Sequence, residues 1–444
     1  MKVILRAGGE RKAVQLDEAK AMLERFQALV DDNSDDDDDD DNNNNNNNTV
    51  IGVDLSCRQW KQESLEVLED FFKSVSSTVQ YLVVDDIIAG LMTEEGLTVT
   101  QKLADIFVQS NLLEVNLNDN AMGERGLGRV KSLFDNSNLQ NLYLNNCGLS
   151  HYSMVQLNGY LMDDNQRVCK SLRELVLDKN MIGPEGAQVV GSFLPYCVNL
   201  ELFSYKGTRP VKAGSKHIAQ GLLELTNNVT DPLIQHLDLS DCHFGDGEED
   251  DDEGGLIPLT TAIAKCKRLR FLDMKDSEIK PNGITLLVDA MKESKAQLTD
   301  LILDGNELEE EGAEILSSWL VTQTSSLKCL HLALNELGNN GVATVLVPFF
   351  ASRNVLEDLS LEENLIEDDG AKALLTARFP HLKHLSLKDN DDIEEDMKIK
   401  LLTKFGRDVV ILGDDDEMKE LHDKMADEED VDELAAALSQ TSIN

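Results

Sequence analysis

Apolar residues recur along the chain in the frame LxxLxLxxN, with polar residues at most of the intervening positions. Clear copies are LLEVNLNDNAMG (112–123), LQNLYLNNCGL (139–149), LRELVLDKNMIG (172–183) and LTDLILDGNEL (298–308). LKCLHLALNEL (327–337), LEDLSLEENLI (356–366) and LKHLSLKDNDDI (382–393) complete the strong set, and weaker copies start at Val50, Val79, Leu200, Ile234 and Leu269. The second apolar residue of each LxL runs from Leu55 and Val84 through Leu117, Leu144, Leu177, Tyr205, Leu239, Met274, Leu303, Leu332 and Leu361 to Leu387, at intervals of 26–35 residues. LxL predicts a short strand whose alternate side chains face inward. The Asn three residues later predicts a turn, because its amide can satisfy backbone groups inside the bend. Cys147 and Cys242 take that place in two copies. A Gly follows (Gly126, Gly186, Gly283, Gly312, Gly341, Gly370), then a helical face such as Ala313, Leu316 and Leu320.

Strand, helix and parallel strand make a right-handed crossover. About 12 such units predict an α/β leucine-rich repeat solenoid, a horseshoe with inner parallel strands and outer helices. Repeats of 28–29 residues leave room for a full outer helix, as in ribonuclease-inhibitor-type arrays. The expected organisation is an N-terminal cap helix within 1–30 and a disordered Asp/Asn-rich spacer at 31–49. The repeat domain follows at 50–412, with an acidic insertion at 246–253 and a last strand at Val409–Leu412. An acidic tail at 413–444 is expected to be disordered, except for a short helix over VDELAAALS (431–439), read first as plain helix-forming tail and, as the alternative, as a segment that docks on a partner or serves as an export signal.

Charge narrows the class of partner. The net charge is −42, and 31–41, 246–253 and 414–433 hold −26 of it. These runs are solvated rather than packed. A field of this sign disfavours nucleic acid and anionic membranes, and favours a basic protein partner or simple solubility. No apolar run is long enough to insert into a membrane. Seven Cys without a CxxC read as reduced thiols of a cytosolic or nuclear protein. Phosphate-binding loops, nucleophile elbows and zincin motifs are absent, and the eight His show no metal-ligand spacing, so no active site, cofactor or metal is expected. A monomeric binding surface is expected instead. The column before each turn Asn sits at the strand exit: Asp119, Asn146, Lys179, Gly207, Asp241, Asp276, Gly305, Leu334, Glu363 and Asp389. It is mixed in sign at first and acidic later, which suits a partner with both acidic and basic features.

At LNDNAMG (117–123) and LYLNNCGL (142–149) the chain resembles the Ran GTPase-activating protein family, which carries LSDNAxG and LNNCG there. GTRPVKAGSK (207–216) resembles the TRVGSKG of plant members, and an acidic tail after the array is also family-like. The resemblance covers about residues 50–430. It implies a partner, Ran in its GTP-bound form, engaged alone or with a Ran-binding protein. It also implies a place in nucleocytoplasmic transport, in the cytoplasm and at the periphery of the nuclear envelope.

The implied chemistry is stimulation of the partner's own GTP hydrolysis. Many activators insert an arginine that stabilises charge on the transferring phosphoryl group. This family is understood instead to use an asparagine that orders the GTPase's water-positioning glutamine. By position that catalytic residue is Asn146, since one amide supplies both a donor and an acceptor to another. Lys179 and Asp241 match a basic and an acidic partner-binding position, with Asp119 and Asn145 as further interface residues. One departure stands out. The family carries an arginine in FxxGR, and here DDIIAGL (85–91) puts Leu91 in its place. Either that arginine is replaceable, or Arg58, Arg125 or Lys179 substitutes, or activation is weak. The alternative to an activator is a non-catalytic scaffold or inhibitor of a basic protein. A histone-binding acidic repeat protein fits less well, because those repeats are shorter and fewer.

Overall fold

The computed structural model describes residues 1–31, 48–134, 138–247, 254–349 and 354–427. Nearly all of the 31–49 spacer, most of the 246–253 insertion and the 431–439 segment lie outside the described residues. The chain forms two compact units, Met1–Pro210 and Val211–Asn444.

In the first unit the strands are β1 (Lys2–Arg6), β2 (Thr49–Asp54), β3 (Tyr81–Val83), β4 (Glu114–Asn116), β5 (Asn141–Tyr143), β6 (Glu174–Val176) and β7 (Leu202–Ser204). Each pairs parallel with the next in chain order. The register aligns Leu82, Val115, Leu142, Leu175 and Phe203, all fully buried. The middle residue of each three-residue strand therefore faces the core, and its two neighbours face the other side of the sheet. Outer helices at Gln62–Val75, Thr93–Phe107, His151–Leu161 and Gly183–Phe193 close the core from behind. The cap is more than a helix. Lys2–Arg6 is a strand that extends the sheet through β2, and the helix begins only at Leu16 and runs to Asp31. Its Phe26 joins a series of tilted rings with Phe72 and Phe107, at centroid distances of 6.1 and 5.8 Å along the chain of rings.

The second unit repeats the scheme with β8 (His236–Asp238), β9 (Phe271–Asp273), β10 (Asp300–Ile302), β11 (Cys329–His331), β12 (Asp358–Ser360), β13 (His384–Ser386) and β14 (Val410–Ile411). All neighbours are parallel. The twelve LxL positions correspond to β2–β13, so β1 and β14 bring the described strands to fourteen. The tail expectation needs correction over its first part: Asp415–Asp427 is a helix rather than disordered chain. Asp414 Oδ1 accepts the N–H groups of Asp416 and Glu417 at 3.0 Å, and three acids in the first turn complement the helix dipole. Leu421 and Met425 are buried beneath it, which a purely solvated tail would not achieve.

The turn Asn residues form the ladder that fixes these units. Asn120 Nδ2 donates to the carbonyls of Val84, Leu117 and Asn118, while its Oδ1 accepts from the N–H groups of Ile87 and Ile88. Asn180, Asn306, Asn335, Asn364 and Asn390 repeat the arrangement. Cys147 replaces one rung with a thiol, its Sγ 3.1 Å from the Leu117 carbonyl. The recurrent Gly lies inside the first helical turns rather than ahead of them. A Cβ on Gly186 would come within 2.4 Å of Ile182 Cγ2 and 3.1 Å of the His151 Cα, so Gly permits close helix packing there. Among the described residues no helix is long and apolar enough to cross a membrane.

Candidate functional site

Every residue of the strand-exit column adopts the left-handed backbone conformation. Cys57, Asp86, Asp119, Asn146, Lys179, Gly207, Asp241, Asp276, Gly305, Leu334, Glu363 and Asp389 have φ between 45° and 65°. In ten of these residues, all but Gly207 and Asp389, the N–H donates to a carbonyl of the next repeat. In the first unit Asp119 donates to the Asn145 carbonyl (2.8 Å), Asn146 to that of Asp178 (2.8 Å) and Lys179 to that of Lys206 (2.7 Å). Asn and Asp tolerate this conformation better than other non-glycine residues. Part of the column's composition is thus backbone geometry.

The first unit brings four of the five proposed site residues together. Asp119, Asn146 and Lys179 are exposed at consecutive turn tips. Asn146 Nδ2 donates to Asp119 Oδ1 at 2.8 Å, which fixes which end of the amide is the donor and leaves Oδ1 to accept from a partner. Asn145 sits deeper. Its N–H donates to Asn118 Oδ1 (2.8 Å), and its own Oδ1 is buried without a hydrogen-bond partner. Among the described residues no ion pair or hydrogen bond holds the Lys179 ammonium, so it is available to an incoming acid. Asp241 belongs to the second unit, exposed at the equivalent turn, with its N–H on the Lys275 carbonyl at 2.8 Å.

Next to this rim lies an acidic group that the motif search missed. Asp85 has one carboxylate oxygen buried without a hydrogen-bond partner. Desolvation, reinforced by the charges of Asp119, Asp86 and Asp54 and opposed by Arg11, pushes its carboxyl up to about 6. Asp86 is neutralised by Arg11, whose guanidinium meets it at 2.8 and 2.6 Å. The signal was present as the acidic pair opening DDIIAGL, but a sequence cannot say which of two adjacent acids turns inward.

Leu91 is half-buried, its N–H donating to the Ile88 carbonyl at 3.1 Å. It lines a cleft of about 400 Å³ with Ile88, Met92, Leu97, Met122 and Asp119. The Asp119 carboxylate is the only charged group of that lining. Of the cations proposed as substitutes, Arg58 is committed elsewhere: it is buried, with Nη1 on the Gly8 carbonyl (2.8 Å) and Nη2 on Glu18 (2.5 Å). Arg125 pairs with Glu94 at 2.6 Å on the helical side chains' exposed surface. Lys179 is the remaining candidate.

Two features of the second unit were also not evident from spacing. A cleft of about 500 Å³ combines exposed Leu334 and Leu365 with Glu336, Glu363, Asp389 and Asp392. On the sheet face, Cys329, His331 and Asp358 place one ligand atom each within 4.8 Å of one another. His331 Nε2 and His384 Nδ1 each lie 3.1 Å from Asp358 Oδ1. The eight His look scattered because the fold, not local spacing, brings these two to one carboxylate.

A family model described as "Leucine Rich repeat" matches residues 168–191, 230–247 and 324–346. Ribonuclease inhibitor of Sus scrofa is 25% identical over 313 residues, 63% of this chain and 64% of that protein. NACHT, LRR and PYD domains-containing protein 5 of Mus musculus is 28% identical over 279 residues, 62% of this chain and 20% of that protein. The chain thus spans less than two thirds of the length of either relative. Among solved structures, an internalin from Listeria monocytogenes aligns over 76% of this chain and 80% of that one, with a TM-score of 0.42 and 14% identity. With the parallel strand–helix units above, these matches support an α/β leucine-rich repeat solenoid, similar at low identity to ribonuclease inhibitor.

Proposed function

We propose that this protein is a GTPase-activating protein for Ran in its GTP-bound form, completing the partner's active site in trans without an arginine finger or an active site of its own. The observation that carries the reading is the Asn146 amide, exposed at a turn tip and oriented by Asp119 within the LNDNAMG–LYLNNCGL pair of motifs. A fixed amide can hold the GTPase's glutamine in one orientation, so that the glutamine in turn positions the attacking water. Stabilisation of the phosphoryl charge is left to the GTPase. Lys179 and, in the second unit, Asp241 would meet charges on the partner. The cleft at Leu91 would take an apolar side chain where the family's arginine makes its contact. Asn145, half-buried, would support the turn and touch the partner only at its edge. The activity belongs to nucleocytoplasmic transport in the cytoplasm and at the nuclear envelope periphery, with or without a Ran-binding protein.

The test is single-turnover GTP hydrolysis by Ran with substoichiometric amounts of this protein. Wild type is expected to accelerate hydrolysis catalytically. Asn146→Gly is the informative variant, because it keeps the left-handed backbone while deleting the amide. Its stimulation should fall by roughly two orders of magnitude, about the cost of losing a well-placed catalytic hydrogen bond, with binding to Ran retained. Full stimulation by Asn146→Gly would remove the site assignment.

A second reading has its own support. Backbone strain explains much of the Asn/Asp/Gly content of the column without any catalytic demand, and the second-unit cleft pairs leucines with acids. On this reading the chain is a non-catalytic scaffold or inhibitor of a basic protein. It predicts stoichiometric binding and a flat hydrolysis curve in the same assay.

A further inference from the structure

The face of the second-unit sheet opposite the core carries a constellation that the GTPase reading does not use. Cys329, Asp358 and His384 are register partners on β11, β12 and β13. Their neighbours Leu330, Leu359 and Leu385 are fully buried, so alternation sends the three polar side chains to the same outer face. His331, two residues beyond Cys329, shares that face. Strands about 4.8 Å apart then converge a thiol, two imidazoles and a carboxylate on one spot.

We propose that Cys329, His331 and Asp358 bind a tetrahedral divalent cation of the zinc class, with His384 as the outer partner that orients the Asp358 carboxylate. The three ligand atoms already lie within 4.8 Å of one another. Bond lengths of about 2.0–2.3 Å to such an ion require ligand atoms roughly 3.3–3.6 Å apart. His331 Nε2 and Asp358 Oδ1 are at 3.1 Å, so modest rotamer adjustment closes the site. His384 Nδ1 on Asp358 Oδ1 reproduces the hydrogen-bonded carboxylate of the usual outer shell.

The donor set decides the class of ion. A thiolate and an imidazole with a single carboxylate suit zinc, whereas calcium and magnesium demand mostly oxygen. Asp273, Asp300 and Asp304 add negative charge near the thiol and so favour a cation over an anion. The side chains of His331 and Asp358 are 27% and 37% exposed, which leaves the fourth position accessible to water or to a group from a partner. Binding replaces the thiol S–H bond with an S–metal bond and releases that proton to solvent.

The test is titration of the full chain with Co²⁺ alone, kept reduced by a phosphine that does not chelate. Tetrahedral d–d bands and a near-ultraviolet thiolate charge-transfer band should saturate at one ion per chain, and Zn²⁺ should displace the signal. Cys329→Ser should abolish the charge-transfer band, while Cys57→Ser, the exposed-thiol control, leaves it intact. His384→Ala should weaken binding by roughly 10–100-fold, the usual cost of an outer-shell partner. Cys329 and His384 are half-buried on the outer sheet face, and circular dichroism checks that the fold persists. An absent charge-transfer band, an unchanged band in Cys329→Ser, or only weak, non-saturating binding to acidic groups would each overturn the proposal. None of these outcomes bears on the hydrolysis assay with Ran.

Discussion

On the proposed function Asn146 answers to two demands, and they must be separated before a mutation there is interpreted. Its backbone is left-handed, which costs a residue with a Cβ about 1–2 kcal/mol relative to its ordinary conformation. An alanine at this position would lose the amide and suffer the strain together, so lost activity could be misread. The same conformation is held by Lys179, Leu334 and Glu363, whose side chains gain nothing from it. Asp85 poses a different question, one of pH. Its folded carboxyl titrates near 6, and its ordinary value is 3.8. A raised acid pKa means that the folded state holds the proton more tightly. Folding therefore loses stability from this group as pH rises from about 3.8 to about 6, and carries the full cost above that. Asp85→Asn should stabilise the first unit at pH 7.5 by about 1 kcal/mol after solvent screening is allowed for, and change little at pH 3.5. Thermal melts at the two pH values check this. An equal gain at both would mean that packing, not charge, is responsible.

At the scale of the repeat, the ladder of buried amides does what no single strand can. Each strand has only three residues, and each turn leaves backbone groups that neighbouring strands do not reach. Asn306 illustrates the accounting: it donates to the carbonyls of Met274, Leu303 and Asp304 at 2.9–3.1 Å and accepts from Ser277 and Ile279 at 3.2 Å. Asn306→Ala would strand several of these in a fully buried site, at about 1–3 kcal/mol each before relaxation. A net loss of roughly 3–5 kcal/mol in the second unit is expected, seen as faster amide exchange across β9 and β10 and a lower urea midpoint. A loss below 1 kcal/mol would show that water replaces the amide. This ladder was readable from LxLxxN, because a period of about 29 residues repeats the same requirement at the same place. The elements that escaped notice lack that repetition. Lys2–Arg6 reads as a generic apolar run, and Asp415–Asp427 hides a two-residue apolar contact, Leu421 and Met425, inside a run of acids. The exposed turn-tip position of Asn146 follows from its motif, while its catalytic role is a proposal. Cys329, His331, Asp358 and His384 were not legible, since their proximity depends on strand register between residues up to 55 positions apart.

For the molecule as a whole, charge is the property that no single contact accounts for. A net charge of −42 creates a potential that reaches a Debye length from the surface, about 8 Å at physiological salt. A basic partner arriving through that field associates faster, by about 10–10³-fold in strongly steered systems. If the proposed activation holds, the effect should act on encounter and not on the hydrolytic step, because Asn146 and Asp119 form one neutral-to-anion hydrogen bond whose geometry does not depend on distant charges. The two contributions therefore separate experimentally. Raising salt should lower kcat/KM for stimulated hydrolysis by Ran at least several-fold while leaving the rate at saturating protein nearly constant. Removing 428–444, which carries five acids and no Lys or Arg, should reproduce a small part of that loss at low salt and none at high salt. If the saturated rate itself falls with salt, the acidic surface contributes to the assembled site. If neither quantity changes, the acid serves solubility, and recognition rests on the rim residues alone.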